Sequence, residues 1–331
     1  MPRVTVIVTV FKRNKHLPEA LESLEKQVYR DFEVLVTDDA NLEETRRICE
    51  SFERRLDIRY RSNPEALGTL GNLCSALPES RGEYVSVLND DDTFHPQMLE
   101  MLVPPLEKDP EVVLTFSNYH IVDGSGNLLN EATQASLRQR GREGLSPGKI
   151  GESFEFALRR NVMAVIGCVF RKQVFASSWN TKEVAGAYDY WLAMQLGRVG
   201  KFFFIKAPLM SWRQHIDSVS SRPSESVFSG EVYIYKNLLG WELTATQTAY
   251  AAAQQAHFLQ LRGKELLAHE HDRSLARASL IESLAVSYCN KTLLVLTLTY
   301  LPRILLRPLL WAWHSSLNFR LSRGWKTFSP G

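Results

Sequence analysis

Three consecutive carboxylates, Asp90, Asp91 and Asp92, form the densest group of potentially reactive side chains in this sequence. They follow residues 84–88, an apolar run typical of a buried strand, so we expect the acids at the strand's carboxyl end. Adjacent carboxylates repel one another unless a cation lies between them, and Mg²⁺ or Mn²⁺ binds such oxygens, usually together with substrate phosphates. The pattern predicts a divalent metal or diphosphate site. The alternative is an acidic turn that caps the helix expected from Pro96, although a cap needs only one such residue.

A second acidic pair, Asp38 and Asp39, follows another strand-like run at residues 32–37. Patterns typical of strands and helices alternate four times in about the first hundred residues, starting with the β-branched run at residues 4–10. This alternation predicts an α/β fold with a doubly wound, mainly parallel sheet. Because ligands bind beyond the carboxyl ends of the strands in such sheets, both acidic clusters are expected at one binding edge.

The second half of the chain is less regular. Strands are expected at residues 112–117 and 202–205, and residues 120–129 are typical of a hairpin that turns at Asp-Gly. Residues 131–152 are polar, basic and rich in Gly and Ser, which predicts a mobile loop that is either a lid or a linker. Beyond them, residues 227–287 have an alanine-rich helical pattern without a strand signal, which predicts a helical appendage.

Composition excludes some classes of protein. The 331 residues are 44% hydrophobic and 23% charged, as in an ordinary globular protein. The net charge of +2 hides an asymmetry, because residues 283–331 contain no Asp or Glu. The basic residues of this segment are Lys291, Arg303, Arg307, Arg320, Arg323 and Lys326. The mildly acidic remainder gives no sign of nucleic-acid binding.

The basic C-terminal tail, residues 290–331, is also strongly apolar. Pro302, Arg303, Arg307 and Pro308 interrupt its apolar runs, which makes a membrane-spanning helix unfavourable. An interfacial helix on an anionic membrane agrees better with this pattern. The alternative is a helix packed on the protein's own core or on a second subunit.

The compartment follows from the cysteines and the N-terminus. The four cysteines are scattered, which is typical of free thiols, and the β-branched run at residues 4–10 is not a signal peptide. We therefore expect a cytoplasmic protein with peripheral contact at the inner face of the membrane.

Four parts of the sequence resemble the family 2 glycosyltransferases, which are inverting nucleotide-sugar enzymes with the GT-A fold. The resemblance covers residues 3–221. It implies a GT-A-like sheet, a Mn²⁺ or Mg²⁺ cofactor, a nucleotide-diphosphate sugar donor and a glycan or lipid-linked acceptor. The four parts are the first strand and its loop, the pair Asp38 and Asp39, the acids before Thr93-Phe94-His95-Pro96, and Arg213-x-His215 with the serines that follow.

The resemblance implies roles for single residues of the donor site. Asp39, with Asp38 beside it, resembles the acid that contacts the nucleobase, and Thr9 and Phe11 lie where the family's first loop lines the base pocket. The family's Asp-x-Asp motif aligns either as Asn89-x-Asp91 or as Asp90-x-Asp92. Asp91 is the expected metal ligand of the first alignment, with Asp92 and Asp90 as rivals or helpers. The donor-binding residues implied so far are Thr9, Phe11, Asp38, Asp39, Asn89 and Asp90.

The motif Arg213-x-His215, with the serines that follow it, completes the implied donor and metal site. His215 resembles the family histidine near the diphosphate and is expected at the metal, while Arg213 and Ser218 would contact the donor. Asp189 resembles the general base, because the family places its base at the start of a helix that carries Trp-Leu, as Trp191-Leu192 does here. The alternative for Asp189 is a carboxylate that only stabilises the helix N-terminus.

The sequence is expected to divide into three parts: a GT-A glycosyltransferase domain at residues 1–221, which the resemblance implies, a helical appendage at 222–289, and the C-terminal tail at 290–331. Two other functions stay open. A nucleotidyltransferase also uses acids after a parallel strand, but residues 11–15 lack the glycines of its usual phosphate loop. A non-catalytic nucleotide-sugar-binding module is the second alternative.

Overall fold

The computed structural model describes residues 1–302 except 13, 164, 166, 177–178, 215–224 and 269–271. The chain divides into two compact units. The first unit lies within residues 1–182 and 188–221, and the second lies within residues 183–187 and 222–331.

The first unit is built on a sheet in the strand order β3-β2-β1-β4-β8-β6-β9-β5, with β7 paired to β9. The four long pairings are parallel, whereas the antiparallel pairings extend over only two or three residue pairs. The predicted α/β fold with a mainly parallel sheet is therefore confirmed. The strands are β1 (Val4–Val10), β2 (Phe32–Asp38), β3 (Ile58–Ser62), β4 (Tyr84–Asn89), β5 (Thr93–Phe94), β6 (Val112–Val122), β7 (Gly148–Ile150), β8 (Cys168–Arg171) and β9 (Lys201–Arg213).

The parallel half of the sheet follows directly from the sequence pattern. All seven residues of β1 and all seven of β2 are buried, because helices cover both faces of a doubly wound sheet. The helices of the first unit are α1 (Leu17–Glu25), α2 (Glu43–Glu50), α3 (Gly68–Ala76), α4 (Met98–Lys108), α5 (Asn130–Gln139), α6 (Ser153–Leu158) and α7 (Tyr188–Val199).

The other half of the sheet is mixed. The strand β8 pairs antiparallel with both β4 and β6, and the 13-residue strand β9 pairs parallel with β6 and antiparallel with the short β5. The predicted hairpin after β6 is present, since Val122 forms an antiparallel bridge with Leu128. This pairing brings the end of β9 to the segment that follows β4.

The prediction of a mobile loop at residues 131–152 is wrong. Residues 130–139 form α5, and residues 148–150 form β7 at the edge of β9. The polar composition of α5 reflects its exposure, because Thr133 and Leu137 are its buried side chains. Their four-residue spacing is the helical signal in this segment.

The second unit is helical, as predicted for the appendage. Its helices are α8 (Glu225–Leu238), α9 (Ala245–Ala268), α10 (Arg273–Val286) and α11 (Asn290–Leu298). Val295 of α11 packs in a small core with Leu266, Leu267, Ala276 and Leu280. Among the residues that the structure describes, no helix is both long enough and apolar enough to cross a membrane.

Candidate active site

The carboxyl ends of three neighbouring strands bring the two acidic clusters to one edge of the sheet. Val10 at the end of β1 pairs with Asp38 of β2, and Thr9 pairs with Asn89 of β4. Residues beyond these ends therefore lie side by side, which is where doubly wound sheets bind their ligands.

Residues 89–92, here called the acidic turn, are held by bonds to the first strand and its loop. The Thr9 hydroxyl donates to Asn89 Oδ1 at 3.2 Å, and the Phe11 backbone N–H donates to Asp90 Oδ2 at 3.2 Å. Within the turn, Asn89 Nδ2 donates to Asp92 Oδ2 at 3.0 Å. Thr9, Asn89 and Asp90, all implied by the resemblance as donor-binding residues, thus take part in bonds that hold the side chains of the acidic turn.

Arg213, at the end of β9, fixes the other side of the acidic turn. Its backbone N–H donates to Asp92 Oδ1 at 2.9 Å, and its Nε donates to the Asp91 carbonyl at 2.8 Å. Its Nη2 forms an ion pair of 2.6 Å with Glu19 of α1. The guanidinium is 2% exposed, so Arg213 positions the turn from inside the protein.

The three carboxylates of the turn differ in exposure. Asp91 is 9% exposed, whereas Asp90 and Asp92 are 2% and 1% exposed, and both oxygens of Asp92 accept bonds from the protein. Among the described residues, no three His, Cys, Asp or Glu side chains converge closely enough to hold an ion by themselves. Mg²⁺ and Mn²⁺ often use only one or two carboxylates and take phosphate oxygens for the rest. The donor set fits such an ion, with Asp91 as its most accessible ligand.

The charge of the acidic turn makes the metal-free protein sensitive to pH. Burial, with the charge of Asp91 added, raises the pKa of Asp92 well above 3.8. At pH values between 3.8 and the raised pKa, Asp92 binds a proton in the folded chain but has lost it in the unfolded chain. The free energy of unfolding therefore falls as the pH rises. We expect urea unfolding in EDTA to show a free energy of unfolding that falls as the pH rises above about 4, where the window set by the shift begins. Asp92→Asn should flatten the slope, and an unchanged slope would contradict the assignment.

Asp38 and Asp39 hold the loops next to the acidic turn. Asp38 is fully buried and accepts bonds from the backbone N–H groups of Ala40 and Leu42, at 2.9 and 2.7 Å, and from the Tyr60 hydroxyl at 3.1 Å. It thereby supports the start of α2. The Asp38 side chain is thus directed into the protein.

Asp39 binds the segment before α3. Its carboxylate accepts bonds from Asn63 Nδ2 at 2.8 Å and from the backbone N–H groups of Leu67 and Gly68, at 2.8 and 2.9 Å. Gly68 has a φ of 75°, a conformation that favours glycine. Asp39 therefore shapes the loop beside the acidic turn.

Phe11 is the implied base-pocket residue most open to solvent. It is 43% exposed, and the Lys12 ammonium lies 5.0 Å from the centre of its ring. An exposed aromatic ring beside a carboxylate cluster is a suitable stacking surface for a planar base.

Asp189 lies in the first turn of α7, as the resemblance implies. Its Oδ1 accepts a bond of 2.9 Å from the Tyr190 backbone N–H, and the residue is half-buried. The preceding Tyr188 connects it to the acidic turn: burial raises the pKa of Tyr188, and the charges of Asp189, Asp92 and Asp91 raise it further. The fold therefore brings Asp189 and the acidic turn close to one phenol.

Sequence reasoning missed several residues of this site. Glu19 and Tyr188 belong to no motif, and only the folded chain brings them to Arg213 and the acids. His16 is a third example: burial lowers its pKa, Arg213 lowers it further, and Asp91 acts in the opposite direction. His215 and Ser218, which the resemblance placed at the metal and the donor, lie outside the described residues.

Comparison with known proteins identifies the family to which this protein belongs. The family model described as Glycosyl transferase family 2 matches residues 5–170, half of the chain. The chain belongs to glycosyltransferase family 2, and the resemblance stated from the motifs is confirmed.

The curated relatives are distant, and this chain matches only part of their length. Chondroitin synthase of Escherichia coli is 23% identical over 209 residues, which cover 61% of this chain and 27% of the relative. A GalNAc(5)-diNAcBac-PP-undecaprenol beta-1,3-glucosyltransferase of Campylobacter jejuni is 29% identical over 141 residues, which cover 42% of this chain and 45% of the relative. The matched segments thus span less than half of these proteins.

Solved structures share the fold. Residues 1–349 of TarS from S. aureus superpose with a TM-score of 0.62 at 16% identity, covering 86% of this chain and 80% of that one. Mannosyltransferase PcManGT from Pyrobaculum calidifontis, in complex with GDP-Man and Mn²⁺, gives a TM-score of 0.55 at 18% identity, covering 89% and 79%. The GT-A-like architecture expected from the motifs is confirmed.

Proposed function

We propose that this protein is an inverting glycosyltransferase that moves a sugar from a nucleotide-diphosphate donor to a glycan or lipid-linked acceptor. The observation that carries the proposal is the acidic turn, where three carboxylates are desolvated at the carboxyl ends of the parallel strands. Such a concentration of buried negative charge is unfavourable without a cation, and a metal–diphosphate complex supplies one.

The donor would lie across the edge formed by β1, β2 and β4. Phe11 offers its exposed ring to the base, and Asp39, which follows β2, donates its backbone N–H to the carbonyl of the preceding Val10 at 2.9 Å. The structures of TarS with UDP-GlcNAc and of PcManGT with GDP-Man support a nucleotide-sugar donor for this fold. We assign Thr9, Asn89 and Asp90 to the loop framework that holds this surface.

Asp91 and Asp92, with His215, would hold the Mn²⁺ or Mg²⁺ ion. When bound, such an ion supplies Lewis acid stabilisation of the charge that develops on the departing diphosphate. Arg213 orients the acidic turn, and Ser218 would contact the donor. Asp189 would accept the proton of the acceptor hydroxyl, which attacks the sugar from the face opposite the diphosphate and inverts its configuration.

Binding of the donor can be tested without knowledge of the acceptor. With Mn²⁺ present, the correct nucleotide-diphosphate sugar should raise the melting temperature, since a ligand at about 100 times its Kd stabilises the folded state by about 2.7 kcal/mol. Differential scanning fluorimetry with UDP and GDP sugars measures the shift. EDTA should remove most of it, and a panel without any metal-dependent shift would contradict the proposal.

We further propose that residues 1–221 form the catalytic domain, residues 222–289 a helical appendage and residues 290–331 a peripheral membrane contact. In α11, Leu293 and Leu294 are 40% and 63% exposed, and Tyr300 just beyond it is 64% exposed. These apolar side chains lie in a segment whose charged residues are all basic, which suits an anionic lipid surface. One face of α11 thus packs against the small helical core through Val295, while Leu293 and Leu294 are exposed to solvent.

Flotation with anionic liposomes tests this contact. We expect the full chain to float and a chain that ends at residue 289 to stay at the bottom of the gradient. Because α11 also contributes Val295 to a core, a double variant, Leu293→Ser with Leu294→Ser, serves as the gentler test. It should reduce flotation without lowering the melting temperature. Equal flotation of all three proteins would exclude a role for the tail.

A further inference from the structure

Arg142 is a fully buried cation without a carboxylate partner among the described residues. Its Nε donates to the Asn161 carbonyl at 2.8 Å and its Nη1 to the Ser117 carbonyl at 2.7 Å. Its guanidinium lies 5.0 Å from the Phe116 ring centre and 5.4 Å from that of Tyr119. Its Nη2 is buried and bonds to none of the side chains or backbone groups that the structure describes.

Burial lowers the pKa of Arg142 only to about 10, so it stays charged at neutral pH. A buried charge that is solvated by two carbonyl groups and two rings is incompletely compensated. The unused Nη2 donor therefore marks a place where an acceptor atom is missing.

Arg140, two residues earlier, adds a second charge that is partly exposed. Its Nε donates to the Tyr119 hydroxyl at 3.0 Å, and its Nη1 donates to the Arg160 carbonyl at 3.3 Å and to the Tyr190 hydroxyl. All of these acceptors are neutral. The two guanidiniums influence each other, since the charge of Arg140 contributes to the lowered pKa of Arg142.

The pair of arginines lies beside Asp189. The Arg160 guanidinium stacks on the Tyr190 ring at 3.6 Å, and that of Arg140 lies 5.5 Å from the same ring. Tyr190 directly follows Asp189 in the first turn of α7, where the helix N-terminus adds a positive potential. Burial opposes ionisation of Arg140, but Tyr190, Tyr119 and Asp189 outweigh it and raise its pKa.

Among the described residues, the positive charges of Arg140 and Arg142 lie close to each other and to Asp189, and Arg160 stacks on the adjacent Tyr190 ring. A guanidinium binds phosphate or carboxylate through paired hydrogen bonds, and an oxyanion would also be favoured near the N-terminus of α7. An oxyanion bound to Arg140 would lie within reach of the charge that Arg142 leaves uncompensated.

We propose that Arg140, supported by Arg142 and flanked by Arg160 and Tyr190, forms a subsite for a phosphate or carboxylate group of the acceptor. The acceptor would thus carry a negative charge close to the hydroxyl that reacts. This inference rests on the proposed function, because it takes Asp189 as the base that receives the proton of that hydroxyl.

Isothermal titration calorimetry in EDTA, without nucleotide, separates this subsite from the metal site. Glycerol 1-phosphate is the phosphate probe and glucuronate the carboxylate probe, with glycerol and glucose as their neutral analogues. We expect the wild-type protein to bind at least one anion and neither neutral analogue. The tighter anion then identifies the oxyanion that the subsite prefers.

Arg140→Gln should weaken anion binding roughly tenfold or more, the loss expected for one charge-assisted hydrogen bond. Arg138→Gln is the matched control, because Arg138 lies in the last turn of α5, two residues before Arg140, but is 57% exposed and pairs only loosely with Glu143 at 3.9 Å. It should bind as the wild type does. Melting temperatures of both variants verify folding.

Two results would overturn the subsite: equal anion affinity for Arg140→Gln and Arg138→Gln, or no anion binding by the wild type. Donor binding with Mn²⁺, measured on the same preparations, distinguishes this failure from failure of the proposed function. A protein that binds donor but no anion lacks only the subsite. A protein that binds the anion but no donor retains the subsite and contradicts glycosyl transfer.

Discussion

Asp91→Asn should reduce glycosyl transfer about a thousandfold, because loss of about 4 kcal/mol of metal-derived stabilisation corresponds to that factor. Asp91 is the most exposed carboxylate of the acidic turn, and Arg213 fixes its backbone carbonyl. Its carboxylate is therefore the one of the three that a ligand can reach most easily. Release of nucleoside diphosphate, followed at saturating donor while Mn²⁺ is titrated, measures the effect.

The variant should stay folded, since it removes one of three mutually repelling charges. The matched control is Asp57→Asn, which changes a surface carboxylate that is 58% exposed and only 3.9 Å from Arg81. Its turnover should equal that of the wild type. If Asp91→Asn keeps its activity and its response to Mn²⁺, the metal is held elsewhere, and Asp92 becomes the ligand to test.

Asp189→Asn should lower kcat by about 10²–10⁴, the usual contribution of a general base, while donor affinity is unchanged. The amide cannot accept the proton of the attacking hydroxyl but can still accept the bond from the Tyr190 backbone N–H, which is 2.9 Å long in the wild type. Initial rates against donor and acceptor concentration separate kcat from KM.

The two other interpretations of Asp189 give different results. A carboxylate that only stabilises the start of α7 would, when replaced, cost about 0.3–1 kcal/mol of stability and leave kcat almost intact. A non-catalytic binding module would bind donor and give no turnover even in the wild type. The melting temperature, the donor affinity and kcat of the same two proteins therefore decide between the three.

The parallel half of the sheet could be predicted because its signals are local. Residues 4–10 and 34–37 are continuous β-branched or apolar runs, and each is followed by amphipathic helical spacing. The position of Asp38 and of the acidic turn at one edge then follows from the geometry of parallel strands. Chemistry at that edge could be anticipated from residue types alone.

The connections made by β9 could not be predicted in the same way. The bonds from Arg213 to Asp91 and Asp92 join residues more than 120 positions apart, and no local pattern specifies them. The segment that carries Arg140 and Arg142 was misjudged for a different reason. Its composition is typical of a loop, while its helical signal consists of Thr133 and Leu137 alone.

The dependence of the acidic turn on Arg213 has a consequence for biosynthesis. A nascent chain can begin to pair β1, β2 and β4 once residue 89 has left the ribosome, because those three strands pair with one another and β8 joins β4 only later. The bonds from Arg213, however, form only after β9 has been translated and inserted beside β6. If translation stopped before β9, the released chain would lack the bonds from Arg213 to the acidic turn. The proposed catalytic site would therefore be complete only late in synthesis.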